Sequence, residues 1–467
     1  MYNSINSKDH GEQIKVLIIN PPIFKVIEPY YDLPDYPRTA LAFLAGYLRD
    51  NWDQGEVVVK DAKFDRLNFE QLLDFIKETR PDVIGITAMT NEIKAAGEIA
   101  NLIKEFNKDI KTIIGGVHLT ALPEETMREF PSFDFGVLGE GEVTFLELIK
   151  KIQQKQEPNI PGVYYLENGT YKSLGDGEPL ADQDSLRPAW DLFRPAKEYM
   201  IQSSRGCPFA CNFCMNPGGR VVRPRSVETT LNEIEELVEN MNPESIYFGD
   251  EIFTVKRNRA KEICEGLITR GLNEKVQWWC QTHVNTLDEE LVVLIKASGC
   301  KLVGLGIETG DDDIFKTMGK GINKEKVKKA INILKKQKLN YDTMFILGQP
   351  NETVASAKKT IDFAVELNPT TPIFGLMVPY PGTQVGEMAL KGLGGYKLLS
   401  KDWDQFNKQI GNALELQGIT RKQLERMQFM GYIKVFLFNF RIIDFLKFCL
   451  LYKKEGFTAL KKLAFNH

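Results

Sequence analysis

Ser204-Arg205-Gly206-Cys207-Pro208-Phe209-Ala210-Cys211-Asn212-Phe213-Cys214 closes an apolar run, Tyr199–Ser203, and decides how the rest of the chain is read. The C-x3-C-x2-C spacing puts three thiols on one loop at the end of a strand. Of seven cysteines, three crowd into these eight residues and none occurs in the first 206, which is the pattern of a metal site and not of a disulfide scaffold. Three thiolates on a four-iron cluster leave one iron without a protein ligand and open to a small molecule, whereas an electron-carrying cluster usually takes four cysteines. Zinc would want a fourth ligand close by, and the histidine nearest in sequence is His283.

The run ahead of the loop is the first of six strand candidates. Ser245–Gly249, Val276–Thr282, Lys301–Ile307, Tyr341–Leu347 and Ile373–Val378 follow, separated by helical patterns such as Val227–Asn240, Lys256–Arg270, Lys324–Lys336 and Val354–Leu367. Six strand–helix units are two short of a closed eight-fold barrel. The spacing therefore predicts a partial (β/α)6 barrel, open on one side, with its chemistry on the loops that follow the strands.

An earlier block alternates in the same way, with strands at Ile14–Ile19, Glu56–Lys60, Asp82–Thr87, Lys111–Gly115 and Asp134–Leu138 and helices at Arg38–Asp50, Asn91–Asn107 and Glu142–Gln153. Strands this short and apolar are buried on both faces, which predicts a doubly wound, Rossmann-like α/β domain with ligands at the C-terminal strand ends. Between the blocks lie Pro158, Pro161, Pro179, Pro188 and Pro195 and a hairpin signal, Val163–Leu166, Asn168-Gly169 and Thr170–Ser173. This reads as an extended linker with a small ribbon. From Ile419 onward ten Lys and Arg against three acids are mixed with Phe, Leu and Ile, a helical tail. The expected domains are 1–156, the linker 157–195, the barrel 196–415 and the helical region 416–467.

The 467 residues are 43% hydrophobic and 26% charged with a net charge of −4, a globular composition without the basic surplus that drives sequence-independent nucleic-acid binding. The longest apolar runs are about five residues, as at Phe448–Tyr452, against roughly 18 to cross a bilayer, so no transmembrane span is expected. The polar stretch Met1–Gln13 has no charged-then-apolar signal, and the chain is expected in the cytoplasm with reduced thiols. Met427 to Tyr452 sets Phe and Leu beside Lys434, Arg441 and Lys447, compatible with a helix docked on the barrel or with a basic amphipathic helix making peripheral membrane contact. So many apolar residues favour docking.

The cysteine loop, with Arg205-Gly-Cys-Pro ahead of it and Asn212-Phe-Cys inside it, resembles the radical S-adenosylmethionine (radical SAM) enzymes. The first block narrows the resemblance. Asn20-Pro21-Pro22, Ala42-Phe-Leu-Ala-Gly46-Tyr-Leu, Gly115-Gly116-Val-His118 with Pro123-Glu-Glu, and Gly139-Glu140-Gly141-Glu142 are similar to the cobalamin-binding (B12-binding) domain fused to class B members. The resemblance implies that Cys207, Cys211 and Cys214 hold a [4Fe–4S] cluster whose open iron takes the amino and carboxylate groups of SAM, which an electron cleaves to a 5′-deoxyadenosyl radical. It implies further SAM contacts from Phe213, from Asp250 as first choice and Glu251 as second for the ammonium, from Gln281 and His283, and from Glu308 at the ribose. For cobalamin it implies Asn20, Gly115, Gly116, His118, Gly139 and Gly141. An acidic helix cap is the other reading of Asp250 and Glu251. Gly348-Gln-Pro350-Asn-Glu352-Thr353 and Pro379-Tyr-Pro381-Gly382-Thr383 also fit the family pattern, as ligand loops or as structural turns.

Two departures accompany the resemblance. Relatives often carry Arg where His283 stands, and no Asp-x-His-x-x-Gly supplies a histidine beneath cobalt, so cobalamin is expected base-off without such a ligand. Cys264, Cys280, Cys300 and Cys449 are scattered singly and read as small apolar residues, with no second cluster. The activity implied is methylation of an unactivated carbon of a small-molecule substrate, with two SAM used per product and an electron donor such as flavodoxin or ferredoxin. The alternatives are an oxidative cyclase or ring-rearranging enzyme that uses cobalamin without methyl transfer, and a non-catalytic cobalamin or iron–sulfur sensor.

Overall fold

The computed structural model describes residues 13–22, 36–409 and 411–451. They form two compact units, one of residues 13–22 and 37–194 and one of residue 36 with 195–451.

In the first unit β1 (Ile14–Asn20), β2 (Gly55–Asp61), β3 (Val83–Thr87), β4 (Lys111–Gly115) and β5 (Phe135–Val137) are parallel in the order β2-β1-β3-β4-β5. Val16, Leu17, Ile18 and Ile19 are all buried because helices cover both faces of the sheet, so the run is continuous and does not alternate. The strand order reverses between β1 and β3, and that switch point opens a crevice at the C-terminal ends.

The stretch expected to be a linker belongs to this unit. β6 (Val163–Glu167) pairs antiparallel with β5, and β7 (Thr170–Ser173) with β6, extending the sheet to seven strands. The turn between them has Asn168 at φ 50 and Gly169 at φ 77, the geometry Asn-Gly predicts. Val163, Tyr165 and Ala189 join the core around Val16, and Leu192 and Phe193 pack against it. Gly46 shows the same attachment: on the helix Thr39–Asn51, a Cβ there would collide with the Arg187 carbonyl oxygen, and the Ala189 N–H bonds the Ala42 carbonyl. A boundary at 156 would strip the sheet of one edge and part of its core.

At the switch point a buried polar network ties β1 to its neighbours. The Asn20 amide donates to Asp61 Oδ1 at 2.8 Å and its oxygen accepts from Arg38 at 2.7 Å, while Arg38 and Lys63 hold the Glu92 carboxylate at 2.8 and 3.0 Å. Burial pushes the Glu92 carboxyl up, but Arg38, Lys63 and the Met89 N–H outweigh it and hold it at about 2. A depressed carboxyl stabilises the fold above the ordinary value of 4.5 and loses that contribution as pH falls toward 2. Glu92→Gln is therefore expected to cost about 3 kcal/mol at pH 7, with the gap to the parent closing between pH ~5 and ~2, checked by denaturant unfolding across that range.

The second unit carries six parallel strands, β8 (Glu198–Ile201), β11 (Ser245–Phe248), β12 (Gln277–Thr282), β13 (Cys300–Glu308), β14 (Asn340–Leu347) and β15 (Thr371–Leu376), side by side in chain order. β8 and β15 are the free edges of an open barrel, as expected. A two-residue ribbon, β9 (Ser204–Arg205) against β10 (Arg223–Pro224), interrupts the first crossover. The edge at β15 is covered: the Phe374 N–H donates to the Tyr432 hydroxyl at 3.1 Å, and Gln428 donates to the Phe374 carbonyl at 2.7 Å, both from the helix Arg421–Phe438. The helical tail thus satisfies backbone groups that an open edge leaves bare.

Candidate active site

The cysteine loop leaves the C-terminal end of β8 and is pinned at both ends. The β9–β10 ribbon closes it, Cys207 N–H bonds the Gly219 carbonyl at 3.0 Å, and the Asn216 amide bonds the carbonyls of Cys207 and Gly219, each at 2.8 Å. Gly206 stands at φ 96, where a Cβ would also collide with the Val221 carbonyl oxygen, so no other residue fits ahead of Cys207. Farther on, Asn212 N–H bonds the Met318 carbonyl at 3.1 Å, and Val385 N–H bonds the Asn212 carbonyl at 3.0 Å. Burial pushes the Cys207 thiol up and the Cys211 thiol to about 11, while Cys214 is exposed.

Asp250, the first choice for the SAM ammonium, turns the other way. Its Oδ1 accepts from the Ser203 and Ser204 N–H groups at 2.6 and 3.1 Å, and its Oδ2 from their hydroxyls, both at 2.7 Å. Arg259 supports the same turn, donating to the Ser203 carbonyl at 2.7 Å. All four contacts aim at the root of the cysteine loop, and both carboxylate oxygens of Asp250 are engaged there. The next residue differs. Glu251 accepts from the Gly206 N–H, and its Oε2 is buried without a hydrogen-bond partner, close enough to Cys207 to be felt electrostatically there. Burial pushes the Glu251 carboxyl up.

His283 is likewise internal. Its Nδ1 accepts from the Asn285 N–H at 3.2 Å, which leaves Nε2 to donate to the Lys320 carbonyl at 3.2 Å. The ring stacks on Phe209 of the cysteine loop, centroids 4.1 Å apart and planes at 10°. Burial, helped by Lys320, lowers the imidazole to about 4, so it is neutral near pH 7. Both nitrogens are engaged within the protein, and the ring face is taken by Phe209. Gln281 is half-buried on β12 beside Gly304. Phe213 packs partly buried against a cluster containing Ile346, Leu347 and Val385.

Glu308 ends β13 at φ 69, a costly conformation for a non-glycine residue and one that concentrates at functional sites. Its carboxylate pairs with Lys320, and both charges are close enough to bear on Cys211. The sequence marked Glu308. Its pairing with Lys320, and the parts played by Ser203, Ser204, Phe209 and Asn216, carry no motif that would have disclosed them. In the turn after β14, Glu352 accepts from the Gly348 and Gln349 N–H groups and burial lifts its carboxyl to about 7, while its Oε1 and the Gln349 side-chain amide are buried without hydrogen-bond partners.

The donor set fits an iron–sulfur cluster, which takes each thiolate on a separate iron. Zinc needs ligands converging on one point, and among the described residues no group of three His, Cys, Asp or Glu does so. The unpartnered Glu251 oxygen beside Cys207 fits the ammonium of a ligand held there. Cys264, Cys280 and Cys300 are buried free thiols, with a hydrogen bond between Cys280 and Cys300 across β12 and β13; Cys449 is exposed.

In the first unit, Gly139 and Gly141 flank the start of the helix Gly141–Gln153. A Cβ on Gly139 would meet nothing within 4 Å, so the strand ends there are open to a large flat ligand such as a corrin. Gly115, at the end of β4, is also uncrowded. The other three expected contacts are internal. Asn20 has both ends of its amide engaged, a Cβ at Gly116 would press on the Ala88 backbone, and His118 is buried and lowered to about 4.

Comparison with known proteins agrees with this geometry. Residues 201–364 match the radical SAM superfamily and residues 32–149 the B12 binding domain. The chain is 32% identical over 436 residues to the uncharacterised methyltransferase PH0819 of Pyrococcus horikoshii, covering 91% of this chain and 93% of that one. It is 31% identical over 364 residues to the anaerobic magnesium-protoporphyrin IX monomethyl ester cyclase of Rubrivivax gelatinosus, covering 74% of this chain and 65% of the cyclase. Its fold is similar to that of the radical SAM methyltransferase TsrM from Kitasatospora setae, solved with cobalamin and a [4Fe–4S] cluster, at TM-score 0.70 and 19% identity over 87% of this chain and 79% of that one.

Proposed function

The chain belongs to the radical SAM superfamily, among members that carry a B12-binding domain, and from that premise we propose that it is a methyltransferase that places a methyl group on an unactivated carbon of a small-molecule substrate. Its cofactors are SAM, a [4Fe–4S] cluster and cobalamin. The observation that carries the reading is the buried, unpartnered Glu251 oxygen beside three thiols on a pinned loop, in a chain whose first unit opens glycine-lined strand ends. The methyltransferase relative, spanning nearly the whole chain, favours methyl transfer over the cyclase reaction, whose named enzyme is spanned only in part.

Cys207, Cys211 and Cys214 would hold the cluster, Glu251 the SAM ammonium, and Gly115, Gly139 and Gly141 would border the corrin. Bound together, these groups supply one electron, a primary-carbon radical and a methyl group. The second unit's own residues fix the loop that would hold the cluster. Asp250 and Arg259 lock Ser203 and Ser204 at the root of the loop, the Phe209–His283 stack fixes its middle, and the Glu308–Lys320 pair sets a compensated charge beside Cys211. The electron would come from a flavodoxin- or ferredoxin-type donor in the cytoplasm.

The test needs no substrate. Protein loaded with cluster and cobalamin, reduced and given SAM, is expected to release S-adenosylhomocysteine at about one per corrinoid, because a methyltransferase must draw its methyl group from SAM. A cyclase or rearranging enzyme would release 5′-deoxyadenosine without it, and a sensor would release neither.

A further inference from the structure

The C-terminal hairpin has one face committed and one bare. Helix Arg421–Phe438 buries Leu424, Gln428, Gly431, Val435 and Phe436. The helix Ile442–Leu451 turns Phe445 onto Phe436, and Phe448 onto Tyr432 and Phe436. Ile442, Ile443, Leu446 and Leu450 recur along its other side and are 58, 70, 57 and 71% exposed. The corner between the helices continues the stripe, with Phe440 at φ 58 and 89% exposed and Phe438 at 63%. None of these side chains is needed to hold the hairpin down, and a continuous bare apolar surface of this kind marks an interaction site. Docking was expected for the whole tail, but only the first helix and the inner side of the second achieve it.

The charges around the stripe indicate what covers it. Lys447 is exposed on the same helix, and the chain runs on through Lys453, Lys454, Lys461 and Lys462 with Glu455 the one acid among residues 452–467. Asp444, the acid of the helix itself, is held by Arg441 at 2.8 Å. A second copy meeting this face symmetrically would set these lysines against their own counterparts. Among the described residues no helix is long and apolar enough to cross a membrane. An apolar stripe beside an exposed lysine, on a helix followed by a sequence rich in lysine, matches instead a helix lying in the surface of an anionic bilayer. We propose that the Phe438–Phe440 corner and the outer side of the Ile442–Leu451 helix insert at the headgroup–acyl boundary of an anionic phospholipid bilayer, with Lys447 on the headgroups.

Flotation of the full chain with vesicles tests this without reference to activity. It is expected to rise with phosphatidylglycerol vesicles at low salt, to stay below with phosphatidylcholine alone, and to detach as salt is raised. Ile443→Glu with Leu446→Glu, at exposed positions, should cut the bound fraction at least tenfold while circular dichroism and elution volume stay unchanged. Truncation after Leu451 removes four lysines and should weaken binding about tenfold or more. Three results would overturn the proposal: no flotation of the parent chain, flotation undiminished in the double variant, or stronger flotation after truncation, which would make the tail the natural cover of the stripe. A concentration-dependent dimer abolished by the double variant would likewise replace the bilayer with a second copy.

Discussion

Cys211→Ala is expected to abolish SAM cleavage and the visible iron–sulfur absorbance together, and Cys207→Ala and Cys214→Ala to do the same. The reason is geometric as well as chemical. The loop is fixed by the β9–β10 ribbon, by Asn216 on two carbonyls and by Asn212 against Met318, so no other thiol can swing in as a replacement. The remaining cysteines are either buried around β12 and β13 or, as Cys449, on the C-terminal helix. Two thiolates leave two irons open and the cluster is lost on reduction. Cys300→Ala serves as the control: it removes a buried thiol and a little stability and should leave both signals. Reconstitution with iron and sulfide, followed by chromatography of 5′-deoxyadenosine, checks each variant. Cleavage surviving in Cys211→Ala would falsify the cluster assignment.

The second large effect separates two adjacent acids. Glu251→Gln keeps the shape and the Gly206 contact but removes the charge from the buried oxygen, and the KM for SAM should rise about 10- to 100-fold, the cost of a hydrogen bond to a charged group. Cluster loading should be unchanged. Asp250→Asn should be nearly silent toward SAM. The amide oxygen can keep the two backbone N–H groups of Ser203 and Ser204, and the amide nitrogen can donate to their hydroxyls once these rotate. Asp250→Ala cannot do this. It strands two buried N–H groups, costs about 2 to 5 kcal/mol, and should lower cluster loading with the loop's root undone. Had Asp250 been the ammonium acceptor, the conservative variants would behave the other way round, and SAM saturation curves beside thermal melts distinguish the two.

Much of the architecture was legible in the sequence because its signals are local. Val16–Ile19 is continuously apolar, Asn168-Gly169 specifies its own turn, and the three cysteines share one loop, so each could be read without knowing what lies opposite. The hairpin's destination was not legible. Val163 and Tyr165 alternate as any half-buried strand does, and only the free edge of β5 gives them a partner. The tail misled for a related reason: its apolar residues are dense enough to cover two sides of a helix, and composition cannot say which side finds the barrel.

The site divides along the same line. Composition and spacing determined that three thiolates stand on a strand-end loop, that acids follow the second barrel strand and that glycines open the first sheet, because residue type and chain proximity suffice for each. The tertiary structure alone decided which acid the protein itself engages. Asp250 and Glu251 are chemically near-equivalent and adjacent, and the difference rests on Ser203 and Ser204, 47 and 46 residues earlier in the chain, whose N–H groups and hydroxyls capture both oxygens of one carboxylate, while the other keeps one buried oxygen without a partner. It likewise supplied partners for the polar atoms of His283 and Asn20, since an unpaired polar atom in a low-dielectric interior is costly and Lys320, Asp61 and Arg38 lie on segments that only folding brings near.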